Sequence, residues 1–464
     1  MSRKEITPQQ LVERALSLSS ADDCVVIADA VTEANLRWAS NTLTTNGVSR
    51  SQQVTVIAIV DGAVGVVTEE GVTEESLPRV VAAAESTSRS GSKAEDRAPI
   101  AGADVMATGG DWEAPPAETS IGVFSTFAPA LGQALERAAA ADELLFGYAE
   151  HQMQTTYLGS SQGLRARHDQ PTGHVEINAK SPDYARSAWH GVPTTDFRDV
   201  DVEGLTSGLS SRLAWASRTV ELPAGRYETV LPSTAVADLM IDLYWSMGAR
   251  DAHDGRTVFS RPGGGTRIGE RLTDFKLSLR SDPAASLIEC SPFAIARETS
   301  SALSVFDNGS PLAPTSWVSD GVLTSLVQTR HSAGVTGLPF TPYVDNLILD
   351  GAAKGTGDDV ELAAGMQRGL LLTCLWYIRE VDPQTLLLTG LTRDGVYLVE
   401  GGEIVGAVNN FRFNESPVDL LGRISECGAS ERALPREWCD NFTRVTMPPL
   451  RVADFNMSSV SQAS

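Results

Sequence analysis

The stretch from Gly390 to Ser416, "GLTRDGVYLVEGGEIVGAVNNFRFNES", limits the fold more than any other part of the chain. Leu398, Val399, Ile404, Val405 and Val408 are strand formers, and Asp394-Gly395 and Gly401-Gly402 are dipeptides that reverse a chain. The pattern predicts a pair of tight hairpins. It ends in a polar cluster, Asn409, Asn410, Arg412 and Asn414, at the edge of an apparently buried β unit. Upstream, "AGRYETVLPSTAVADLMIDLYWSMGARDAHDG" reads as a strand, a Pro break and an apolar helix. Beyond it, Gly and Pro punctuate many short alternating runs, so the C-terminal half is expected to be β-rich and mainly antiparallel.

The first half alternates helices and strands. Residues 5–18 carry helical spacing, and Thr7, Pro8 and Gln10 fit a capped helix start. "ADDCVVIADAV" and "QQVTVIAIVDGAVGVVTEEGV" read as strands with a turn at Asp61-Gly62, and "EESLPRVVAAAEST" as a helix. Residues 88–120 lack periodicity and read as a flexible loop or linker. A helix lies within "FAPALGQALERAAAADELLFGYAEH", followed by a strand–turn–strand pair over "HQMQTTYLGSSQGLRARHDQPTGHVEINAKS" and a further helix before residue 220. The expectation is an α+β protein: an α/β domain over 1–220 and a β-rich domain over 221–464. A length of 464 residues agrees with more than one core.

Charge and composition remove some classes of function. The net charge of -22 repels phosphate backbones, so nucleic acid is not an expected partner. The longest apolar run, "VTVIAIV" from Val54, is strand-sized and too short to span a bilayer. The N-terminus has no long apolar segment of a secretion signal, so a cytoplasmic, membrane-free protein is expected. Cys24, Cys290, Cys374, Cys427 and Cys439 have no C-x-x-C spacing and read as free thiols.

No self-sufficient catalytic set stands out in the sequence. None of the six histidines is followed by Glu, and no two lie four or five residues apart, so helical zinc spacing is absent. Gly159-Ser160-Ser161-Gln162-Gly163 matches G-x-S-x-G, but "LRARHDQPTGHVEI" after it alternates and contains Pro171. A hairpin turn fits better than a nucleophile elbow, which needs a helix there. "SRPGGGTRIGE" lacks the Lys-Ser/Thr of a phosphate loop and reads as a turn. "DGAAKGTGDDVEL" lacks calcium-ligand spacing and reads as a solvated, mobile loop.

Over essentially its whole length the chain resembles the TldD/TldE (PmbA) modulators of gyrase. The segments that carry the likeness are "YLGSSQGLRARHD", "ASLIECSPFAIARETSSALSVFDNG", "TGLPFTPYVDNLILDG", "WYIREVDPQT", "NNFRFNESP" and "MPPLRVADFNMSS". The resemblance implies a heteromeric metallopeptidase acting on unfolded or flexible peptide inside a narrow chamber. One branch, TldD, carries His-Glu-x-x-x-His on a helix plus a downstream Cys; the TldE branch lacks it. The corresponding helix here is "STAVADLMIDLYWSMGARD", where Met240, Ile241 and Trp245 occupy the motif positions and read as packed core.

The chain therefore resembles TldE. No catalytic or metal-ligating residue and no cofactor is expected in it, with zinc carried by a TldD-type partner; Cys439 reads as a bystander thiol. The Asn409, Asn410, Arg412 and Asn414 cluster either contacts peptide or partner, or satisfies buried loop carbonyls. Two other classes stay open. One is an independent hydrolase using Ser161 or Cys439; the other is an accessory protein that recruits peptide substrate.

Overall fold

The structure is a computed structural model that describes residues 6–104, 110–352 and 357–461. The centres of the 88–120 segment and of the acidic 350–362 stretch, residues 105–109 and 353–356, lie outside the described residues, as do 1–5 and 462–464. The end of the acidic stretch is not a solvated loop but the start of a short helix, Asp359–Ala364, capped by Asp358. The architecture is α+β, an N-terminal α/β part followed by a β-rich part.

The N-terminal sheet has six antiparallel strands in the order β3-β2-β1-β4-β5-β6. They are β1 (Asp23–Ala39), β2 (Thr42–Val60), β3 (Ala63–Glu70), β4 (Leu144–Ser160), β5 (Arg165–Lys180) and β6 (Ser187–Thr194). The helices are α1 (Pro8–Leu18), α2 (Leu77–Ser90), α3 (Phe127–Ala140) and α4 (Val202–Trp215). Helix α1 begins where Thr7 and Gln10 form a reciprocal capping box. Its Leu11, Val12 and Ala15 bury against Val26, Ala28 and Val56 of the sheet. Helix α2 lies so close to β3 that a Cβ on Gly65 would stand 2.1 Å from the Ala84 carbonyl oxygen.

The C-terminal part holds two more sheets. One has six strands, centred on Leu277–Ser281 and Leu347–Gly351. The other, of eight strands, includes Gly225–Leu231, Arg368–Asp382, Leu387–Glu400, Phe411–Glu415 and Leu450–Val460. Its edge strand Thr219–Val220 pairs with Ala407–Val408, so the chain joins this sheet just before residue 221. Helix α5 (Ser233–Trp245) is apolar on nearly every side, and such a helix is stable only when surrounded. It packs against Leu277, Trp317 and Leu347 of one sheet and Leu370, Leu398 and Leu450 of the other.

Two local expectations are corrected. Asp394-Gly395 is not a hairpin turn but a bulge inside the strand Leu387–Glu400, where the register against Leu372 and Cys374 shifts. Asp394 has φ 53° and Gly395 φ 120°, so the dipeptide supplies left-handed backbone while the strand continues. Gly401-Gly402 does form the turn between the paired strands Leu387–Glu400 and Glu403–Val408. Trp245 is not core: it is 39% exposed at the end of α5. The helix's last turn emerges from between the sheets at that point.

Replacing Gly65 with Ala is expected to lower stability by about 1–3 kcal/mol, because α2 must move off the sheet. Gly132→Ala in α3, where nothing lies within 4 Å of the added Cβ, is expected to raise it by about 0.4–1 kcal/mol. Urea denaturation of the two variants checks both.

Candidate functional site

A groove with a cavity volume of about 420 Å³ runs between the N-terminal sheet and the C-terminal part. Its floor comes from β4 and β5. Even-numbered residues of both strands face it, and the register sets them directly opposite one another: Glu150 and His174, Gln152 and Thr172, Gln154 and Gln170, Thr156 and His168. The alternation of a strand places these side chains on one face. His151, between them, faces the other way and is held by the Thr119 hydroxyl and the Thr195 carbonyl. One wall is the extended segment 293–297. The opposite wall comprises Tyr343, Asp345 and the loop from Cys439 to Arg444.

Charges in the groove are mostly neutralised. Arg297 pairs with the buried Asp29, which also accepts from the Thr156 hydroxyl at 2.6 Å and the Gln154 amide at 3.0 Å. Arg444 pairs with Asp345 and donates to the Thr172 hydroxyl at 3.2 Å. Burial holds His168 below the usual imidazole range, and the ring bonds Gln170 at 3.1 Å. The lining is thus amides, hydroxyls, the His168 imidazole and paired ions, together with the carboxylates of Glu150 and Asp440, beside the apolar Phe293, Ile295 and Leu312.

Helix α5 holds the wall loops. The Tyr244 hydroxyl donates to the Val344 carbonyl and accepts the Val344 N–H, each at 3.0 Å. Asp238, fully buried, accepts the Arg436 and Glu437 N–H groups at 3.2 and 3.0 Å. Asp242 accepts the Trp438 indole N–H at 3.2 Å. Burial pushes Asp238 well above the usual carboxylate range, and Asp242 up to about 7. These bonds place residues 436–438, from which the groove-lining loop leaves.

The sequence-expected positions lie in the second half of this same helix, with only Trp245 at its end. Met240 and Ile241 are buried in the core between the sheets. Trp245 sets its ring 4.9 Å from that of Trp438, edge to face, and its indole N–H donates to the Tyr343 hydroxyl at 3.4 Å. Cys439 lies beside the groove with its sulfur 3.9 Å from an Asp440 carboxylate oxygen. Burial, with Glu176 and Asp440 nearby, pushes its thiol up to about 12, so it is protonated at neutral pH. Zinc takes imidazole nitrogen, carboxylate oxygen or thiolate. A buried thioether, an alkyl chain, an indole and a protonated thiol do not fit it. Among the described residues, no three His, Cys, Asp or Glu side chains gather into a group that could hold a metal.

The other singled-out residues lie elsewhere. Ser161 sits at the β4–β5 turn, accepts the Cys24 N–H and donates to Asp23, with no imidazole bonded to it. "SRPGGGTRIGE" forms a tight turn in which Arg261 N–H bonds the Gly265 carbonyl. The Asn409–Asn414 cluster lies in the eight-stranded sheet and does not line the groove. Asn409 accepts the Leu222 N–H at 2.8 Å, and Asn410 bonds the Thr392 hydroxyl at 3.2 Å. Arg412 donates to the Thr389 hydroxyl, and the Asn414 carbonyl accepts from Asn456. The groove itself was missed in the sequence. Its one signal is the polar alternation of residues 150–156 and 168–174 within two long strands.

The sequence model of the PmbA/TldA metallopeptidase C-terminal domain matches residues 224–459, and that of PmbA/TldA metallopeptidase domain 1 matches residues 24–88. The chain belongs to the PmbA/TldD metallopeptidase family. Among solved structures it is similar to TldE from Thermococcus kodakarensis, with a TM-score of 0.77, 14% identity and coverage of 97% of this chain and 99% of that one. A proposed modulator of DNA gyrase from Bacteroides thetaiotaomicron gives 0.74, 14%, and 98% of both chains. Another from Thermotoga maritima gives 0.72, 18%, and 97% and 99%. These likenesses establish the fold. A search of curated proteins returns no match. No helix among the described residues is long and apolar enough to cross a membrane.

The raised Asp242 carboxyl predicts a pH dependence. A carboxyl that binds its proton more tightly folded than unfolded adds stability as pH falls from about 7 toward its ordinary value. That contribution is lost as pH rises through the same window. Asp242→Asn should flatten the stability profile there and raise stability at pH values above it, which urea denaturation across the window checks.

Proposed function

We propose that this chain is the TldE-type subunit of a two-component peptidase, the branch without its own metal, and that a TldD-type subunit supplies zinc. The observation that carries the reading is α5. At the positions where the resemblance places the zinc motif it carries Met240, Ile241 and Trp245, which do not fit zinc. The same helix spends its polar side chains on the groove walls.

In this reading the subunit contributes no bond-breaking group. Its part is to hold an extended, unfolded peptide. The opposed pairs of β4 and β5 offer amide and hydroxyl groups that can bond any peptide backbone. In the complex the metal would polarise the scissile carbonyl and activate water. Substrate and partner meet this chain in the cytoplasm, and the Asn409–Asn414 surface is a second candidate for contact with either.

An independent Ser or Cys hydrolase has no support in the bonds of Ser161 or in the protonation of Cys439. An accessory recruiter that adds nothing to the chamber would bind unfolded peptide on its own, and failure to bind any without the partner would count against it.

The test is hydrolysis of casein by this chain, by a TldD-type subunit, and by the two together. The expected result is turnover only in the mixture, with Ser161→Ala and Cys439→Ala each within about twofold of the parent. Turnover by this chain alone would overturn the proposal, as would loss of turnover in either Ala variant that still forms the complex.

A further inference from the structure

At one end of the groove, Glu150 of β4 and His174 of β5 stand directly opposite each other. Such a pair has Cβ atoms about 5 Å apart. Tyr148 is the next residue on the same face of β4. Its hydroxyl donates to Glu150 Oε2, and its ring centre lies 5.9 Å from that of His174, the two planes tilted by 54°. Burial and the bond to Glu150 push the Tyr148 hydroxyl above its usual range, so it keeps its proton and remains the donor.

Two members of this cluster lack partners. His174 lines the groove and is only 7% exposed, yet neither of its ring nitrogens makes a hydrogen bond among the described residues. Glu150 is half-buried and forms no ion pair among them; its one bond is the one from Tyr148. Buried polar groups are normally bonded and buried charges normally paired. The surroundings do not supply the missing charge. Glu33, beside this row on β1, adds a second carboxylate and accepts only the Asn35 amide, at 3.3 Å. Asp440 adds a third from the facing wall. Arg436 is committed to Glu176, and Arg37, opposite Tyr148 on β1, is exposed and joins no ion pair among the described residues. Water can bond the imidazole, but it brings no positive charge to Glu150.

We infer that Glu150, His174 and Tyr148 form a seat for a primary ammonium group, carried by a lysine side chain or by the amino terminus of a peptide. An ammonium has three donors and no acceptor. The seat offers it three acceptors: Glu150 Oε1, the remaining lone pair of the Tyr148 oxygen, and a nitrogen of His174 in its neutral form. The Tyr148 ring beside them adds attraction for a cation. A guanidinium fits less well, because its planar fork seeks both oxygens of a carboxylate and Oε2 is already taken by Tyr148. The inference rests on the proposed function for the peptide itself and adds a preference for one charged group within it.

The test is fluorescence anisotropy of the full chain with three peptides that carry fluorescein at the C-terminal end. They are acetylated Ser-Ala-Lys-Ala-Thr-Ala, the same peptide with norleucine in place of lysine, and the norleucine peptide with a free amino terminus. At least one ammonium-bearing peptide is expected to bind about tenfold or more tightly than the acetylated norleucine peptide, and which one does so identifies the source of the group. Glu150→Gln is expected to abolish the preference and Tyr148→Phe to reduce it about threefold. Glu403→Gln, which removes an exposed charge from the eight-stranded sheet, is expected to keep it within about twofold, which separates the seat from the general pull of an acidic chain. Thermal unfolding shows whether Glu150→Gln is folded; if it is not, Tyr148→Phe decides. Equal binding of the three peptides, no binding of any, an unchanged preference in the deciding variant, or an equal loss in Glu403→Gln would overturn the inference. Casein hydrolysis by the complex separates the two ideas. Turnover without an ammonium preference leaves the proposed function standing, and an ammonium preference without turnover leaves only the inference.

Discussion

Everything in the groove depends on how the N-terminal sheet is fastened to the C-terminal part, by half-buried ion pairs beside an apolar contact of Phe293, Val305 and Phe306 with Ile27, Leu158 and Ala166. Arg297 reaches 268 residues back along the chain to Asp29, whose side chain is only 6% exposed. Arg436 pairs with Glu176 of β5 and lies between two indoles, 4.9 Å from the Trp189 ring centre and 4.4 Å from that of Trp376. Arg432 pairs with Asp199, and Arg444 bonds Thr172. A charge taken out of water is tolerated only when its partner and hydrogen bonds are in place. The seam's ion pairs favour one arrangement, although Arg436 Nε is buried in it with no hydrogen-bond partner among the described residues. The groove floor, on one side, and its walls, on the other, keep a fixed separation because of it.

Helix α5 transmits that order into the walls. A helix surrounded by apolar residues has few places to put polar groups, and each one it keeps has a specific partner. Tyr244 fixes residue 344, Asp238 fixes 436 and 437, and Asp242 fixes 438. Asp238 and Asp242 accept hydrogen bonds from groups whose own burial would otherwise leave them unpaired. The exposed end of the helix presents Trp245, edge to face with Trp438 beside the groove. The helix keeps its place in the fold and acts as a scaffold.

Much of the fold was legible because it rests on local rules. The Thr7–Gln10 capping box, the β4–β5 turn at Ser161 and the Gly401-Gly402 reversal are each set by neighbouring residues. Asp394-Gly395 misled because a left-handed dipeptide serves a bulge as well as a turn. Only the pairing of Leu387–Glu400 with both Arg368–Asp382 and Phe411–Glu415 decides between them. Trp245 misled because helical spacing shows which residues share a face but not where the helix leaves its neighbours. The groove was illegible for a different reason. Its floor comes from residues 150–174, its walls from 293–297, 343–345 and 439–444, and no spacing rule joins such distant segments.

The central claim is that α5 scaffolds a peptide groove in a subunit that carries no metal of its own. Native mass spectrometry of this chain and of its complex with a TldD-type subunit, both purified in the presence of zinc, tests it most directly. The isolated chain is expected to have its apo mass, and the complex to gain metal only through the partner. Zinc retained by this chain alone would contradict it, and would mean that its histidines and carboxylates assemble a site this structure does not form.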